Sequence, residues 1–164
     1  MSNIVLNSDD IDKKIKRLSY QIIEKNLNEK EVILVGLKPN GNYLSKKIQS
    51  FINEFSNIKI SLYNIEMDKK KLLFKNCIPE LRYENINKKV IVFIDDVMNS
   101  GGTLMYAINE ILSYYPKDIQ ICVLIERTFK SFPLSANFKG LELSTSEYEH
   151  VEVILNKSSK VIIT

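Results

Sequence analysis

Two adjacent aspartates, Asp95 and Asp96, stand between an apolar segment and a turn of small residues. The preceding segment, residues 90–94, is continuously apolar and rich in β-branched side chains, which is typical of a strand buried on both faces of a parallel sheet. We therefore place both carboxylates at the carboxyl end of that strand, where open α/β sheets bind their ligands. Carboxylates at such an edge can accept hydrogen bonds from the hydroxyls of a sugar.

The turn that follows consists of Asn99, Ser100, Gly101, Gly102 and Thr103. Its short side chains can cap a helix, and its glycines tolerate positive φ and let a ligand approach the backbone. Beyond the turn the apolar residues recur at helical spacing, at Leu104, Ile108, Ile111 and Leu112. Free backbone N–H groups at the start of this helix would converge on an anion, so the turn is predicted to bind a phosphate.

An acid pair has a simpler interpretation, in which both side chains cap a helix or lie in solvent. Most adjacent acidic residues do this. Here the buried strand before the pair and the small-residue turn after it favour a different interpretation. A phosphosugar fits both features, since its hydroxyls donate to carboxylates while its phosphate accepts hydrogen bonds from amides.

Alternating apolar segments predict the elements that position these residues. Ser8 is expected to cap a first helix with Asp9 and Asp10 in its first turn. Strands are predicted at 31–37, 58–63 and 119–125, a helix at 43–55, and short extra strands that cap one edge at 151–155 and 160–164. Regular alternation of strand and helix favours an α/β fold, with a mostly parallel sheet flanked by helices. We find no linker, so residues 1–164 are predicted to form a single domain.

Composition limits the class of protein. The chain has 164 residues, of which 45% are hydrophobic and 26% charged, as in ordinary globular domains. No apolar stretch approaches the roughly 20 residues that a membrane span needs, and the N-terminus lacks the pattern of a signal peptide. Cys77 and Cys122 have no metal-site spacing, so a cytoplasmic protein with reduced thiols is expected. The net charge of +3 is dispersed, which argues against a dedicated nucleic-acid binder.

Residues 91–103, IVFIDDVMNSGGT, resemble the thirteen-residue phosphoribosyl-pyrophosphate (PRPP) signature of the type I phosphoribosyltransferases. Four apolar residues, two acids, two apolar residues and a small-residue loop ending in Thr occur in that order. Within this superfamily the chain is similar to the PyrR family, which combines attenuation of the pyrimidine operon with uracil phosphoribosyltransferase activity. Four further landmarks follow the family's order: KRLSYQIIEKN, ILVGLKPNG, VLIERTFKSFPLSANFKG and STSEYEHVEV.

The resemblance implies a type I phosphoribosyltransferase fold, with a small hood of extra strands, and transfer of 5-phosphoribosyl from PRPP to a nucleobase. Uracil is the acceptor that the resemblance favours, and Mg²⁺ accompanying PRPP and a homodimer are also implied. Asp95 and Asp96 would hold the ribose hydroxyls, near the Mg²⁺, and Asn99 to Thr103 would bind the 5-phosphate. Pyrophosphate binding falls to the turn after the 31–37 strand, which comprises Lys38, Pro39, Asn40 and Gly41. At the end of a later strand, Glu126 and Arg127 are our candidates for the wall that contacts the base.

The chain departs from the family pattern near the pyrophosphate. PyrR proteins usually read K-T-R-G where this chain has Lys38 to Gly41, so Pro39 removes a backbone donor and Asn40 replaces a guanidinium. Gly102 replaces an Arg of the phosphate loop, and Asn64 replaces an Arg at the root of the connection between residues 63 and 89, which in the family carries a closing loop. These changes predict weaker pyrophosphate binding. They also keep open a second function, a regulator that binds PRPP or nucleotides without turnover.

Two further departures concern the base and RNA. Hypoxanthine-guanine enzymes carry an Asp where this chain has Asn99, which cannot act as a base at neutral pH, so purine salvage is disfavoured. The family segment D-R-G-H-R-E-L-P-I-R becomes ERTFKSFPLS at 126–135, with fewer basic residues, which predicts weaker RNA binding. Phe129 and Phe132 could stack on bases, although two aromatic residues near a proline more often belong to a core or an interface. His150 has no metal-ligand partner in sequence and is expected on a surface strand.

Overall fold

The structure, a computed structural model, describes residues 3–68, 73–74 and 82–164. The strands are β1 (Asn3–Leu6), β2 (Glu31–Leu37), β3 (Lys59–Ile65), β4 (Met67–Asp68), β5 (Leu73–Phe74), β6 (Val90–Met98), β7 (Asp118–Arg127), β8 (Phe138–Leu143), β9 (Val151–Ile154) and β10 (Lys160–Ile163). The helices are α1 (Ser8–Lys25), α2 (Asn40–Phe55), α3 (Tyr83–Ile86) and α4 (Gly102–Leu112).

The main sheet has five strands in the order β3-β2-β6-β7-β8, and every pairing within it is parallel. Crossover helices α2 and α4 connect β2 to β3 and β6 to β7, as parallel neighbours require. The predicted α/β fold with a mostly parallel, helix-flanked sheet is thus confirmed. Because β2 and β6 are neighbours, the turn after β2 and the aspartates of β6 lie at the same edge of the sheet.

Two hydrophobic cores cover the two faces of the sheet, because successive side chains of a strand point to opposite faces. Along β6, Val92 and Ile94 belong to the core beneath α1 and α2. Ile91 and Phe93 belong to the core beneath α3 and α4. Central strands buried on both faces read as continuous apolar runs, which explains why β2 and β6 were predicted from sequence.

A separate three-stranded antiparallel sheet, which we call the hood, has the order β1-β10-β9. Its strands β9 and β10 are the two short segments predicted near the C-terminus. They form the predicted small hood of extra strands by pairing with each other and with the N-terminal strand β1, and neither of them pairs with an edge strand of the main sheet. The hood contacts the main sheet through β6 and β9. Within the described ranges, none of the helices combines the length and apolar character needed to cross a bilayer.

Some element boundaries differ from the sequence-based prediction. The cap of α1 is Asn7 rather than Ser8: Asn7 Oδ1 accepts from the amide of Asp10, and the Asp10 carboxylate accepts from the amide of Asn7. This reciprocal capping box satisfies two helix-start donors, which a lone Ser8 could not do. Helix α2 begins at Asn40, three residues before the predicted start, and β6 continues past both aspartates to Met98.

The connection between β3 and β6 carries a closing loop in the resembled family, and its apolar residues 72–74 suit either a β-hairpin or a dimer contact. In the structure β4 and β5 form an antiparallel pair, in which Met67 lies opposite Phe74. The pairing agrees with the hairpin interpretation. Three lysines of this connection, at residues 69–71, lie outside the described residues, as does Cys77.

Candidate active site

The two aspartates point to opposite faces of the sheet's carboxyl edge, because they are consecutive residues of β6. Asp95 is 4% exposed and lines a cavity of about 80 Å³ in front of the small-residue turn. Asp96 is half-buried and lines a second cavity, of about 320 Å³, beneath the hood. Both cavities include Val97 and Asn99, so they adjoin. The acid pair therefore lies between a turn-side and a hood-side cavity.

The carboxylates are oriented by backbone amides of their own strand. Asp95 Oδ1 accepts from the amide of Asp96 at 2.9 Å, and Asp96 Oδ1 accepts from the amide of Val97 at 2.8 Å. These two hydrogen bonds fix the orientation of both side chains at the carboxyl end of β6. This edge of the sheet can therefore present carboxylate oxygens to hydroxyl donors.

The turn after β6 forms the floor of the smaller cavity, whose lining includes all five residues from Asn99 to Thr103. Gly101 has φ of +84°, a conformation that side-chain-bearing residues rarely adopt. Helix geometry leaves the first amides of α4 without intrahelical acceptors. The Gly102 amide donates to Ser100 Oγ and the Met105 amide to the Gly101 carbonyl. Between them, Thr103 and Leu104 line the cavity, so the helix start presents an anion-binding surface.

A second segment supports the turn from behind. The amides of Ser131 and Phe132 both donate to the Ser100 carbonyl, at 3.1 and 3.0 Å. A Cβ at Gly102 would lie 3.1 Å from Phe132 Cε2, so the absence of a side chain there lets the Phe132 ring pack against the turn. Phe132 thus belongs to packing, whereas Phe129 is 52% exposed.

The turn after β2 lies on the other side of the acid pair. Its approach to β6 depends on Gly41, where an added Cβ would lie 2.4 Å from the Ile94 carbonyl oxygen. Lys38 and Pro39 are joined by a cis peptide bond, and the Lys38 amide donates to the Ile65 carbonyl. This turn borders an open cleft of about 570 Å³, lined by Lys38, Pro39, Asn42, Glu66 and Met67. The exposed ammonium group of Lys38 gives the cleft a cation for an anionic group.

Asn40 connects the turn after β2 to the acid pair and to the hood. Its Nδ2 donates to Asp96 Oδ2 at 2.7 Å and to the Val153 carbonyl of β9 at 2.9 Å. The hood-side cavity lies around this contact, lined by Pro39, Asn40, Asp96, Val97, Asn99, His150, Val151, Glu152 and Val153. His150 is exposed and immediately precedes β9, so it borders the cavity. Sequence reasoning did not connect this part of the chain with the acid pair.

Glu126 is fully buried and holds the segment that supports the turn. Its Oε1 accepts from Lys130 Nζ at 2.5 Å and from the Ala136 amide at 3.0 Å, and Lys139 Nζ lies 2.7 Å from Oε2. Burial raises the pKa of Glu126, but the hydrogen bonds from Lys130, Lys139 and the Ala136 amide outweigh it and hold the pKa below its ordinary value of 4.5.

Arg127 joins the turn to the segment before the hood. It donates from Nη1 to Asn99 Oδ1 at 3.1 Å, from Nε to Thr145 Oγ1 at 2.7 Å and from Nη2 to the Ser146 carbonyl at 2.8 Å. Sequence reasoning placed Arg127 at the end of its strand, and the structure puts it beside Asn99. The roles of Thr145 and Ser146 were missed, since nothing in their types marks them as its partners.

The two carboxylates of the acid pair fit a divalent cation that is bound together with a substrate. Among the described residues, no group of three or more His, Cys, Asp or Glu side chains could hold a metal ion. Asp95 and Asp96 supply two carboxylates, and Mg²⁺ is commonly bound by one or two carboxylates plus the phosphates of its substrate. The donor set therefore fits an ion that arrives with a phosphorylated ligand.

Comparison with known families gives one match over nearly the whole chain. The model of the phosphoribosyl transferase domain matches residues 2–156. The bifunctional protein PyrR of Fusobacterium nucleatum is 34% identical over 163 residues, which cover 94% of this chain and 91% of that protein. The protein of the same name from Clostridium kluyveri is 30% identical over 163 residues, covering 96% of this chain and 92% of its own.

Solved structures of similar fold include a hypoxanthine-guanine phosphoribosyltransferase from Bacillus anthracis. It has a TM-score of 0.76 at 17% identity, covering 90% of this chain and 85% of that one. The hypoxanthine phosphoribosyltransferase of Trypanosoma cruzi in complex with the product IMP also has a TM-score of 0.76, at 13% identity, covering 90% and 82%. At such identities the likeness concerns the fold and not the base.

Proposed function

Because the chain belongs to the phosphoribosyltransferase domain family and, within it, to the PyrR family, we propose that it transfers 5-phosphoribosyl from PRPP to uracil and releases pyrophosphate. Members of the family are PRPP-dependent pentosyltransferases, and the choice of uracil is the proposal. The observation that carries it is the cavity at the end of β6, which Asp95 and the start of α4 line together, so that a carboxylate for ribose hydroxyls and a helix start for a phosphate border one space.

In the proposed reaction the 5-phosphate binds the turn, with the first amides of α4 directed at its oxygens. Asp95 and Asp96 accept hydrogen bonds from the ribose hydroxyls while positive charge develops at C1, and their negative charge stabilises that change. A well-placed group of this kind lowers the barrier by about 3 kcal/mol. The reaction needs no covalent enzyme intermediate, because positioning and electrostatics suffice.

Pyrophosphate would leave toward the cleft beside Lys38. The ammonium group of Lys38 and the main chain of residues 39–41 would neutralise part of its charge. Asp95 and Asp96 would hold Mg²⁺ together with PRPP oxygens, and the ion supplies further charge neutralisation for the leaving group. This arrangement is supported by the position of the turn after β2, directly beside the acid pair.

The base would lie beneath the hood, beside Asn99 and Arg127. A neutral Asn99 suits a pyrimidine whose ring needs no carboxylate to handle a proton. Arg127 would contribute to the wall of the base site, and its bond to Asn99 supports this. Glu126 would act on the same wall indirectly, since its carboxylate is occupied by the lysines and the amide that hold the 130–136 segment.

The test is pyrophosphate release with PRPP, Mg²⁺ and each of uracil, hypoxanthine and guanine. Turnover that requires both PRPP and uracil supports the proposal. Turnover with a purine but not uracil contradicts the choice of base. Turnover with none of the three, in protein that is folded by circular dichroism, contradicts the activity.

One observation favours a second function, a PyrR-like regulator that binds PRPP or a nucleotide without turnover. Both oxygens of Asp96 already accept hydrogen bonds from the protein, from Val97 and Asn40. The turn after β2 also has Asn40 where PyrR proteins usually carry the guanidinium of an Arg. Measurable binding of PRPP or uridine monophosphate, with no pyrophosphate release, would select the regulator over the enzyme.

We also propose a cytoplasmic homodimer, on the strength of family membership. RNA binding would be residual, because the segment from 126 to 135 retains few cations and those of Arg127 and Lys130 are occupied inside the protein. An RNA affinity that depends on hairpin sequence would show that attenuation has been kept.

A further inference from the structure

Asn40 occupies a position from which it reaches both the acid pair and the hood. It is the first residue of α2, and the residues that it contacts lie 56 and 113 positions further along the chain. The partners are a carboxylate oxygen and a carbonyl oxygen, both of which only accept hydrogen bonds. Only the amino end of the Asn40 side chain can serve both, so the two contacts fix its orientation.

Each contact satisfies a group that has few other partners available. Strand β9 is at the edge of the hood and pairs with β10 on one side only, so its outer carbonyls depend on donors from elsewhere. Asp96 Oδ2 faces α2, and Asp96 Oδ1 is occupied by the Val97 amide. Asn40 therefore sets the rotamer of Asp96 and the position of β9 with one amide group.

We propose that Asn40 is a positioning residue that couples the ribose side of the site to the base side. By holding Asp96 and β9 together, it fixes both the carboxylate that contacts the ribose and the hood-side cavity that receives the base. The inference rests on the proposed function, which supplies the ligands. It concerns this chain in particular, because PyrR proteins usually carry an Arg where this chain has Asn40. The pyrophosphate role of the turn is then left to Lys38 and the main chain, with the Asn40 side chain committed to the protein.

This role predicts which kinetic constant changes. A preformed site binds both substrates without reorganisation. Removing Asn40 therefore adds a reorganisation free energy that weakens binding of the ground state and of the transition state equally. Asn40→Ala is expected to raise KM for PRPP and for uracil by roughly tenfold, the value of one charge-assisted hydrogen bond, with kcat within about threefold. A merely structural role would instead lower the active fraction, and with it kcat, at unchanged KM.

Two further single variants and one double variant sharpen the comparison. Asn40→Asp keeps the shape of the side chain but removes both donors and places a second carboxylate beside Asp96, so it should raise KM more than Asn40→Ala does. Asn53→Ala, at an exposed position of the same helix, is the matched control and should leave both constants unchanged. In an Asp96→Ala background, Asn40→Ala should lose most of its effect on KM for PRPP and keep its effect on KM for uracil.

The readout that does not require turnover is hydrogen exchange of the β9 amides, which should accelerate in Asn40→Ala and stay unchanged in Asn53→Ala. If the wild-type protein shows no turnover, the proposed activity fails, and the inference is decided by calorimetric affinities for PRPP and uridine monophosphate together with this exchange. Unchanged KM or affinity in Asn40→Asp overturns the inference. So does unchanged exchange in Asn40→Ala, or a wild-type protein that binds neither ligand.

Discussion

Replacing Asp96 by asparagine tests the proposed chemistry with the smallest change of shape. Each carboxylate oxygen of Asp96 faces a protein donor, the Val97 amide at 2.8 Å and Asn40 Nδ2 at 2.7 Å. In Asp96→Asn the new amino group must face one of these donors, so one hydrogen bond is lost whichever way the side chain turns. The negative charge that would hold a ribose hydroxyl disappears as well.

The magnitude follows from these losses. A hydrogen bond to a charged group contributes about 1.5–3 kcal/mol, and about 1.36 kcal/mol corresponds to a tenfold change in rate. We therefore expect kcat/KM for PRPP to fall by about ten- to hundredfold in Asp96→Asn. Asp95→Asn should cost at least as much, since Asp95 is buried and lines the turn-side cavity.

The assay is PRPP-dependent pyrophosphate release at saturating uracil, with thermal unfolding of each variant to show that it is folded. Asp9→Asn is the matched control, because Asp9 is exposed in the first turn of α1. It should retain wild-type kinetics. Unchanged kcat/KM in both Asp95→Asn and Asp96→Asn would remove the acid pair from the mechanism and refute the assignment of this edge as the ribose site.

Three further predictions concern stability and reactivity. Gly41→Ala places a Cβ 2.4 Å from a strand carbonyl and should lower the free energy of unfolding by about 1–3 kcal/mol. Gly102→Ala meets a movable aromatic ring at 3.1 Å and should lower it by less, so equal urea midpoints for the two variants would contradict this prediction. The pKa of Glu126 is lowered in the folded protein, so its contribution to stability is complete above pH 4.5 and is lost as the pH falls through the lower folded pKa. The difference in unfolding free energy between wild type and Glu126→Gln should therefore shrink below pH 4.5. A difference that grows below pH 4.5 would contradict this prediction. Burial raises the pKa of Cys122 to about 12, so in a Cys77→Ser background Ellman's reagent should react only on unfolding, and rapid labelling of the native protein would contradict the buried position.

The sequence predicted the elements of the central sheet well where burial on both faces produced continuous apolar runs. Strand β2 was predicted with its observed bounds, and β6 was predicted over its first five residues, 90–94, but not over the remaining four. Strand β8 was missed, because an edge position leaves its sequence, FKGLEL, without such a run. Strand β1 was missed for a similar reason: four residues carry too little pattern, and their stability comes from pairing with β10 at the far end of the chain.

The sequence by itself determined the local chemistry of the site. Strand, acid pair and small-residue turn are consecutive between residues 90 and 103, so their order already places the carboxylates beside a helix start. What only the tertiary structure decided are the contacts between distant segments. Asn40 reaches Asp96 and Val153, and Arg127 reaches Asn99 and Thr145, through a parallel sheet and a hood that bring their strand ends together. Local order follows from covalent connection and short-range sterics, whereas these contacts depend on burial of the two cores, which no single segment specifies.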